Sequence, residues 1–424
     1  MHETIGSGGL AADSVAVRLR KARENSGMSM RTLSEKAGLS PGTAQSIESG
    51  TTPSIATIER LARALRVSCS WLAFGEGPFD RPNENCLVLP NVSLLARMQM
   101  LETLLQGCGG HIDHSYLYLD AKGAAAWQTL VNQSDLSESQ KGIPTHTMAE
   151  QIAALVASDL GVLALGSGTA KHEVALVRVL ARRCAVPIHL YLLDISPVLL
   201  TEALRYSLQT FSAIPGVSVS GILGDLYQMA DCHELLLKPR RQRLATLLGY
   251  TLGNMDNEVR FLQNSLSVCA PDDLLLLDVT LARGPISQPK EILKNDPALR
   301  KNRPHEYWHL AVDFLLGPIV RHAQGVRNIK LEPRLDLDSA TVPGSYAVDT
   351  RAIFQQDGVA KDFSVGYVKR YEPDKLADVV ERSGWKLVHR ELYAEEFQPA
   401  RLMLFRKMRQ PAAPASRRRK TSDH

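Results

Sequence analysis

The 424-residue sequence predicts two folds in one chain: a small all-helical domain, then a larger Rossmann-like α/β domain with a mainly parallel sheet. Three observations predict this. Residues 14 to 74 carry short amphipathic stretches punctuated by Gly27, Gly38 and Gly50. From about residue 150, apolar runs of strand length alternate with helical patterns. Between the two, "FGEGPFDRPNEN" (Phe74 to Asn85) is rich in Gly, Pro, Asn and charge and reads as a linker. The expected boundaries are a helical domain over 14–76, a linker over 77–90, an α/β domain over 91–410 and a basic tail over 411–424. The tail places Arg417, Arg418, Arg419 and Lys420 after a Pro/Ala/Ser stretch, a composition expected to stay disordered.

Composition narrows the class. Hydrophobic residues are 44% and charged residues 22%, the balance of a globular protein with a sizeable core. No apolar run reaches membrane-spanning length, and Met1 to Leu10 lacks the pattern of a secretory signal, so a cytoplasmic protein without a membrane partner is expected. Six cysteines (Cys69, Cys86, Cys108, Cys184, Cys232, Cys269) form no C-x-x-C pair, which argues against a disulfide frame or a cysteine zinc site. A net charge of +4 permits nucleic-acid contact without demanding it.

The helices of the first domain can be placed in order. Val15, Val17 and Leu19 begin a stretch through Asn25, stopped by Gly27; the next holds Leu33 and Ala37 and ends at Gly38. Ser40 as N-cap and Pro41 at the first helical position predict a third helix, running through Thr43, Gln45 and Ser46 to Gly50. A fourth, Ile55 to Leu65, puts Ile55, Ile58, Leu61, Ala62 and Leu65 on one face. Two short helices joined by a Gly-containing turn and wrapped by others make a helix-turn-helix.

This segment resembles the phage-repressor/Cro type of helix-turn-helix, through Ala37-Gly38-Leu39-Ser40, Ile47-Glu48-Ser49-Gly50, Pro53-Ser54 and Thr57-Ile58. The resemblance implies that the third helix enters a DNA major groove, offering Thr43, Gln45 and Ser46 to base edges, with Arg31 and Lys36 on phosphates. It also implies pairing as a homodimer on two half-sites. Against DNA binding, the third helix carries no Arg or Lys and its only charge is Glu48. Nine basic side chains face eight acidic ones over residues 1–80, so a module reduced to dimerisation or docking is the alternative.

In the larger domain, Gly161 to Leu165 is an apolar strand entering Gly166-Ser167-Gly168-Thr169, followed by a helix from Ala170 to Arg183. The strand Ile188 to Leu193 ends at Asp194, with a helix from Ser196. A third strand leads to Gly224-Asp225; then come Leu244 to Tyr250, a helix from Asn257 to Val268 and the strand Leu274 to Asp278. Glycines after the first strand let a ligand approach the backbone. Asp194, ending the second strand, suits the two hydroxyls of a ribose, and Asp225 an adenine amino group. A dinucleotide is the rival ligand, but the third glycine of G-x-G-x-x-G is Lys171 here. S-adenosylmethionine (SAM), which has no pyrophosphate, fits the shorter loop better.

"LALGSGTAKHEVALVRVL", "YLLDISPVLL", "GILGDL" and "LLGYTLGNMDNEVRFLQNSL" resemble the SAM-dependent histidine Nα-methyltransferase family of ergothioneine biosynthesis, from about Tyr118 to Arg406. The resemblance implies a class I SAM-dependent methyltransferase domain. In it Gly166, Ser167, Gly168, Lys171, Asp194 and Asp225 hold SAM, and Thr251 and Asn254 grip an amino-acid-like substrate. Tyr371-Glu372-Pro373 falls at the family's "KF-x-P" step. The Glu-x-Ser that grips the substrate in the histidine enzymes is replaced by Gly366 and Val368, and the paired tyrosines of "EYYPTR" by "GIPTHTM". Histidine is therefore not the expected acceptor.

Methyl transfer needs a neutral nucleophile in line with the methyl carbon, and no metal. No metal cluster is visible; His111 and His114 are read as surface histidines, and no catalytic residue is singled out. Tyr118, Tyr250, Tyr307 and Trp308 are candidates to line a substrate pocket. Two functions remain: a methyltransferase acting on a small amine or amino-acid-like metabolite, or a transcription regulator whose methyltransferase-like domain senses SAM or a metabolite. A bifunctional autoregulator combines them.

Overall fold

The computed structural model describes residues 14–65, 67, 69–74, 86–88, 94–133, 144–232, 241–299, 311–338, 341–393 and 399–409. The chain divides into two compact units, Met1–Asn85 and Cys86–His424. No helix among the described residues is long and apolar enough to cross a membrane.

The first unit holds helices Val15–Asn25, Met30–Lys36, Thr43–Glu48, Ile55–Leu65 and Cys69–Phe74. Ser14 and Ser29 cap the first two, accepting from the amides of Val17 and Thr32. Gly27 and Gly38 end them with φ of +64° and +66°, a conformation other residues adopt at a cost. Leu19, Leu33, Ala44, Ile47, Leu61, Ala62 and Leu72 form the core. The side chain of Ile55 lies outside the described residues. The third helix corrects the sequence reading: it starts at Thr43 with Gly42 at the N-cap, and no side chain caps it. Ser40, Pro41 and Gly42 instead make a turn closed by the Thr43 amide on the Ser40 carbonyl.

The second unit is built on an eight-stranded sheet. Its strands are β1 (Cys86–Val88), β3 (Leu160–Leu165), β4 (Ile188–Asp194), β5 (Val217–Leu223), β6 (Gln242–Leu247), β7 (Leu274–Thr280), β11 (Trp385–Tyr393) and β12 (Ala400–Lys407). Their order is β1-β5-β4-β3-β6-β7-β12-β11. The first six are parallel, and β12 and β11 close the edge antiparallel. β3 and β7 are buried along their whole length, as strands covered on both faces must be. Cys86–Val88 pairs with Gly221–Leu223, so the segment read as the end of the linker is a sheet strand; a three-residue edge strand has too few side chains for a period.

A second sheet of four strands has the order β2-β10-β9-β8, from β2 (Gly109–His111), β8 (Val326–Asp336), β9 (Tyr346–Gln356) and β10 (Val359–Arg370). The end of β10 is tied to the end of β7, since the Tyr371 amide donates to the Thr280 carbonyl and the Ala282 amide to that of Tyr371. Chain order changes direction at β3, whose neighbours are β4 on one side and β6 on the other. Such a switch point opens a crevice at the carboxyl ends of the strands.

Candidate active site

The carboxyl ends of β3, β4, β5 and β6 converge on one cavity of about 600 Å³, a size suited to a nucleoside-containing ligand. The turn after β3 brings Gly166, Ser167 and Gly168 to its wall. Gly166 has φ +69° and Gly168 φ +51°; a Cβ on the first would stand 2.9 Å from Thr251 Cγ2, and on the second 3.2 Å from the Trp127 ring. An L-residue at either position would be strained, and at Gly166 it would also crowd Thr251. Ser167 Oγ is buried and has no hydrogen-bond partner among the described residues.

Asp194, at the end of β4, accepts from the Gly168 amide at 2.8 Å and from the Ser196 amide at 2.8 Å. One carboxylate thus sets both the glycine turn and the start of the helix Pro197–Phe211. Burial pushes its carboxyl up to about 6, against the pull of these backbone hydrogen bonds. Beneath the turn Glu173 is buried too; burial pushes it up to about 8, and the nearby charges of Asp278 and Asp194 add to the shift. Asp225, after β5, accepts from the Tyr227 amide at 2.9 Å and pairs with Arg97 at 2.6 Å. Arg97, on the helix Leu94–Gln106, also donates to Ser115 Oγ.

Of the residues picked from sequence, Gly166, Ser167, Gly168, Lys171, Asp194, Asp225, Thr251, Asn254 and Tyr118 line this cavity. Lys171 Nζ reaches Asn132 Oδ1 at 3.2 Å. Thr251 donates its hydroxyl to the Leu248 carbonyl, turning its methyl toward Gly166. Tyr250 is a correction: it is 7% exposed, has φ +66° and packs in the sheet core rather than on the cavity wall. Its ring is turned inward to the buried pair of Asp278 and Tyr393. Tyr307 and Trp308 lie outside the described residues.

His114 is a second correction, since it lines the cavity instead of facing solvent. Its Nε2 accepts from the Tyr367 amide at 2.8 Å and its Nδ1 is buried. Burial lowers its pKa to about 4. His111 is more open and pairs with Asp256 at 3.2 Å, a contact that raises the histidine and lowers the carboxylate. Asp113, His114, Trp127, Glu173, Tyr227 and Asp256 also line the cavity and were missed in the sequence. Only Trp127 had a visible signal, a large aromatic on the amphipathic stretch Ala121–Gln133. Among the described residues no group of histidine, cysteine and carboxylate side chains is arranged to hold a metal ion.

In the first unit Gln45 and Ser46 are exposed and Thr43 is half-buried. Arg31 is exposed and paired with Glu35 at 2.9 Å. Glu48 faces inward, its carboxylate held by Arg23 at 2.6 and 3.0 Å, so it puts no charge on the outer face of the third helix.

Residues 19–72 match the family model described as helix-turn-helix, and residues 97–287 that described as histidine-specific methyltransferase, SAM-dependent. No curated protein matches the chain. Among solved structures, the CcbJ methyltransferase of Streptomyces caelestis is 14% identical, with 62% of this chain and 90% of that one covered and a TM-score of 0.31. The 1,6-didemethyltoxoflavin-N1-methyltransferase of Burkholderia thailandensis is 11% identical over 68% of this chain and 88% of that one, TM-score 0.37. The magnesium protoporphyrin IX methyltransferase of Synechocystis PCC 6803 is 11% identical over 72% and 99%, TM-score 0.36. The chain joins a helix-turn-helix of the phage-repressor/Cro type to a SAM-dependent methyltransferase domain, whose cofactor is S-adenosylmethionine.

Proposed function

We propose that the chain methylates the nitrogen of a small amine or amino-acid-like metabolite other than histidine, and that its helix-turn-helix binds DNA as a homodimer. The observation that carries the catalytic reading is the single cavity shared by the glycine turn, Asp194 and the loop bearing Thr251, Asn254 and Asp256. Gly166, Ser167, Gly168, Lys171, Asp194 and Asp225 are assigned to the cofactor, and Thr251, Asn254 and Tyr118 to the acceptor. The cofactor supplies an electrophilic methyl group. The chain has to hold an amine neutral and aligned in a cavity that excludes water. Asp113 and Asp256 suit an acceptor that arrives with hydrogen-bond donors. Position 366 is glycine and offers no carboxylate, and a Cβ there would press on Leu315 Cδ2 at 3.0 Å and Thr350 Cβ at 3.4 Å. This supports an acceptor other than histidine.

Calorimetric titration with SAM and S-adenosylhomocysteine, with Asp194→Ala as control, tests the cofactor assignment. Micromolar binding lost in the variant is expected; no binding at millimolar ligand sinks it. Turnover on amines, abolished by Asn254→Ala, is then expected. Binding without turnover of any amine would favour a SAM-sensing regulator instead. For the first unit, the exposed Gln45 and Ser46 support base contact, and loss of operator binding in Gln45→Ala is the corresponding test.

A further inference from the structure

Resting on the cofactor assignment above, we propose that Arg97 is a positioning residue for base recognition: it aims Asp225 at the amino group of the cofactor's adenine, so that the site selects an aminopurine. Asp225 follows β5 and lines the cavity, and two anchors fix its carboxylate. Oδ1 accepts from the Tyr227 amide at 2.9 Å, and Oδ2 accepts from Arg97 Nη2 at 2.6 Å. A carboxylate has about four lone-pair sites, so one hydrogen bond on each oxygen leaves it able to accept from a ligand. With both oxygens anchored, the plane of the group is set before any ligand arrives.

The guanidinium is itself held. Its Nη1 donates to Ser115 Oγ at 3.1 Å, while the Ser115 amide donates to Asp113 Oδ1 at 2.7 Å and starts the turn His114–Leu117. Ser115 and Asp113 line the same cavity as Asp225, so one fork from the helix Leu94–Gln106 spans two stretches of its wall. The Arg97 and Asp225 side chains are only 16% and 21% exposed, which shields their contact from water. Arginine suits this place because two nitrogens in a rigid plane reach two separate partners, whereas a lysine has one. Without Arg97 the carboxylate keeps a single anchor, at Tyr227, and can rotate about it away from the base.

Calorimetric titration of the full-length chain with S-adenosylhomocysteine and with its deamino analogue, in which purine replaces adenine, reads this contact directly. The two ligands differ only in the donor that Asp225 meets. The wild type is expected to bind the amino form about tenfold or more tightly, the effect of a buried acceptor left unpaired. Asp225→Ala should abolish the preference, and Arg97→Met should bring it close to unity. Arg97→Lys keeps the charge but not the fork, so its preference should fall between those of Arg97→Met and the wild type. That variant must fall below the wild type even if Arg97→Met does not fold. A merely structural role for Arg97 would weaken both ligands by the same factor and leave their ratio unmoved. A ratio in the Arg97 variants equal to or above that of the wild type overturns the proposal. Equal micromolar binding of both ligands by the wild type also overturns it, and leaves the cofactor site standing. Binding of neither ligand at millimolar concentration defeats the cofactor assignment, and this proposal with it.

Discussion

Lys369 Nζ lies 2.7 Å from Glu258 Oε2, and both side chains are fully shut off from solvent. Around this pair the carboxylate also accepts from the Tyr371 hydroxyl at 2.6 Å and from Thr341, while Lys369 donates to the carbonyls of Met255 and Asp256. The same Tyr371 hydroxyl lies 3.1 Å from the Leu252 carbonyl, so its one proton is shared between the two acceptors. The network pins the loop that carries Thr251, Asn254 and Asp256 to the last residues of β10 and the turn after it.

Lys369→Met is therefore expected to destabilise the domain by about 3–5 kcal/mol, because it leaves a buried carboxylate without its cation. Adding Glu258→Leu should recover part of the loss, since two apolar groups are better tolerated than one orphaned charge. Urea unfolding of the single and double variants measures both. A double variant less stable than Lys369→Met would show that the pair is not the main interaction.

Gly166→Ala is expected to weaken SAM binding about tenfold or more. A φ of +69° costs an L-residue about 1–2 kcal/mol, and the new Cβ would collide with Thr251 Cγ2 at 2.9 Å. Thr251→Ser removes that methyl and keeps the hydroxyl, so the double variant should regain part of the affinity and not all of it. Calorimetry on the three variants decides; full recovery would mean that backbone strain contributes nothing.

The sheet was legible in the sequence where strands are fully buried. Leu160–Leu165 and Leu274–Leu277 are continuous apolar runs, and Asp194 and Asp225 mark where strands end because the chain there leaves the core for polar company. The cofactor side of the site followed from that, since glycines and acids in order along one chain are a local pattern. The acceptor side was not legible. His114 reaches Tyr367 across 253 positions, and Arg97 reaches Asp225 across 128, so no window of sequence contains both partners. Tyr250 looked like a pocket aromatic because it stands beside Thr251. Its left-handed φ of +66° turns it back into the core instead, a reversal that a residue type other than glycine does not announce.

The buried acids give a pH dependence of defined sign. Glu173, up to about 8, and Asp278, up to about 7, both through burial, hold protons more tightly folded than unfolded. Their stabilising contribution is complete below their unfolded values near 4 and is lost as pH rises through 7 to 8. His114 and His172, both lowered to about 4 by burial, act in the opposite sense until their unfolded forms are neutral near pH 7.5, and comparison with Glu173→Gln cancels their common contribution. The melting temperature should fall between pH 6.5 and 8.5, and Glu173→Gln should flatten that slope and raise the value at pH 8.5. An unchanged slope in the variant would place Glu173 in water rather than in the core.

In the first unit the corresponding buried charge is Glu48, and it separates folding from recognition. Its carboxylate takes both nitrogens of the Arg23 fork and approaches Arg20 at 3.5 Å, tying the third helix to the first. Glu48→Ala leaves Arg23 with its bond to the Met28 carbonyl and its longer contact with the exposed Glu24 at 3.5 Å, a loss of about 2–3 kcal/mol for a largely buried charged contact. Hydrogen exchange of residues 15–65 should quicken, that of residues 160–280 should not, and operator binding should fall with the first. Gln45→Ala should lower operator binding with exchange unchanged, because its side chain is exposed and the core of this unit is Leu19, Leu33, Ile47 and Leu61. If Glu48→Ala leaves exchange in residues 15–65 untouched, the contact with Arg23 does not hold the third helix in place.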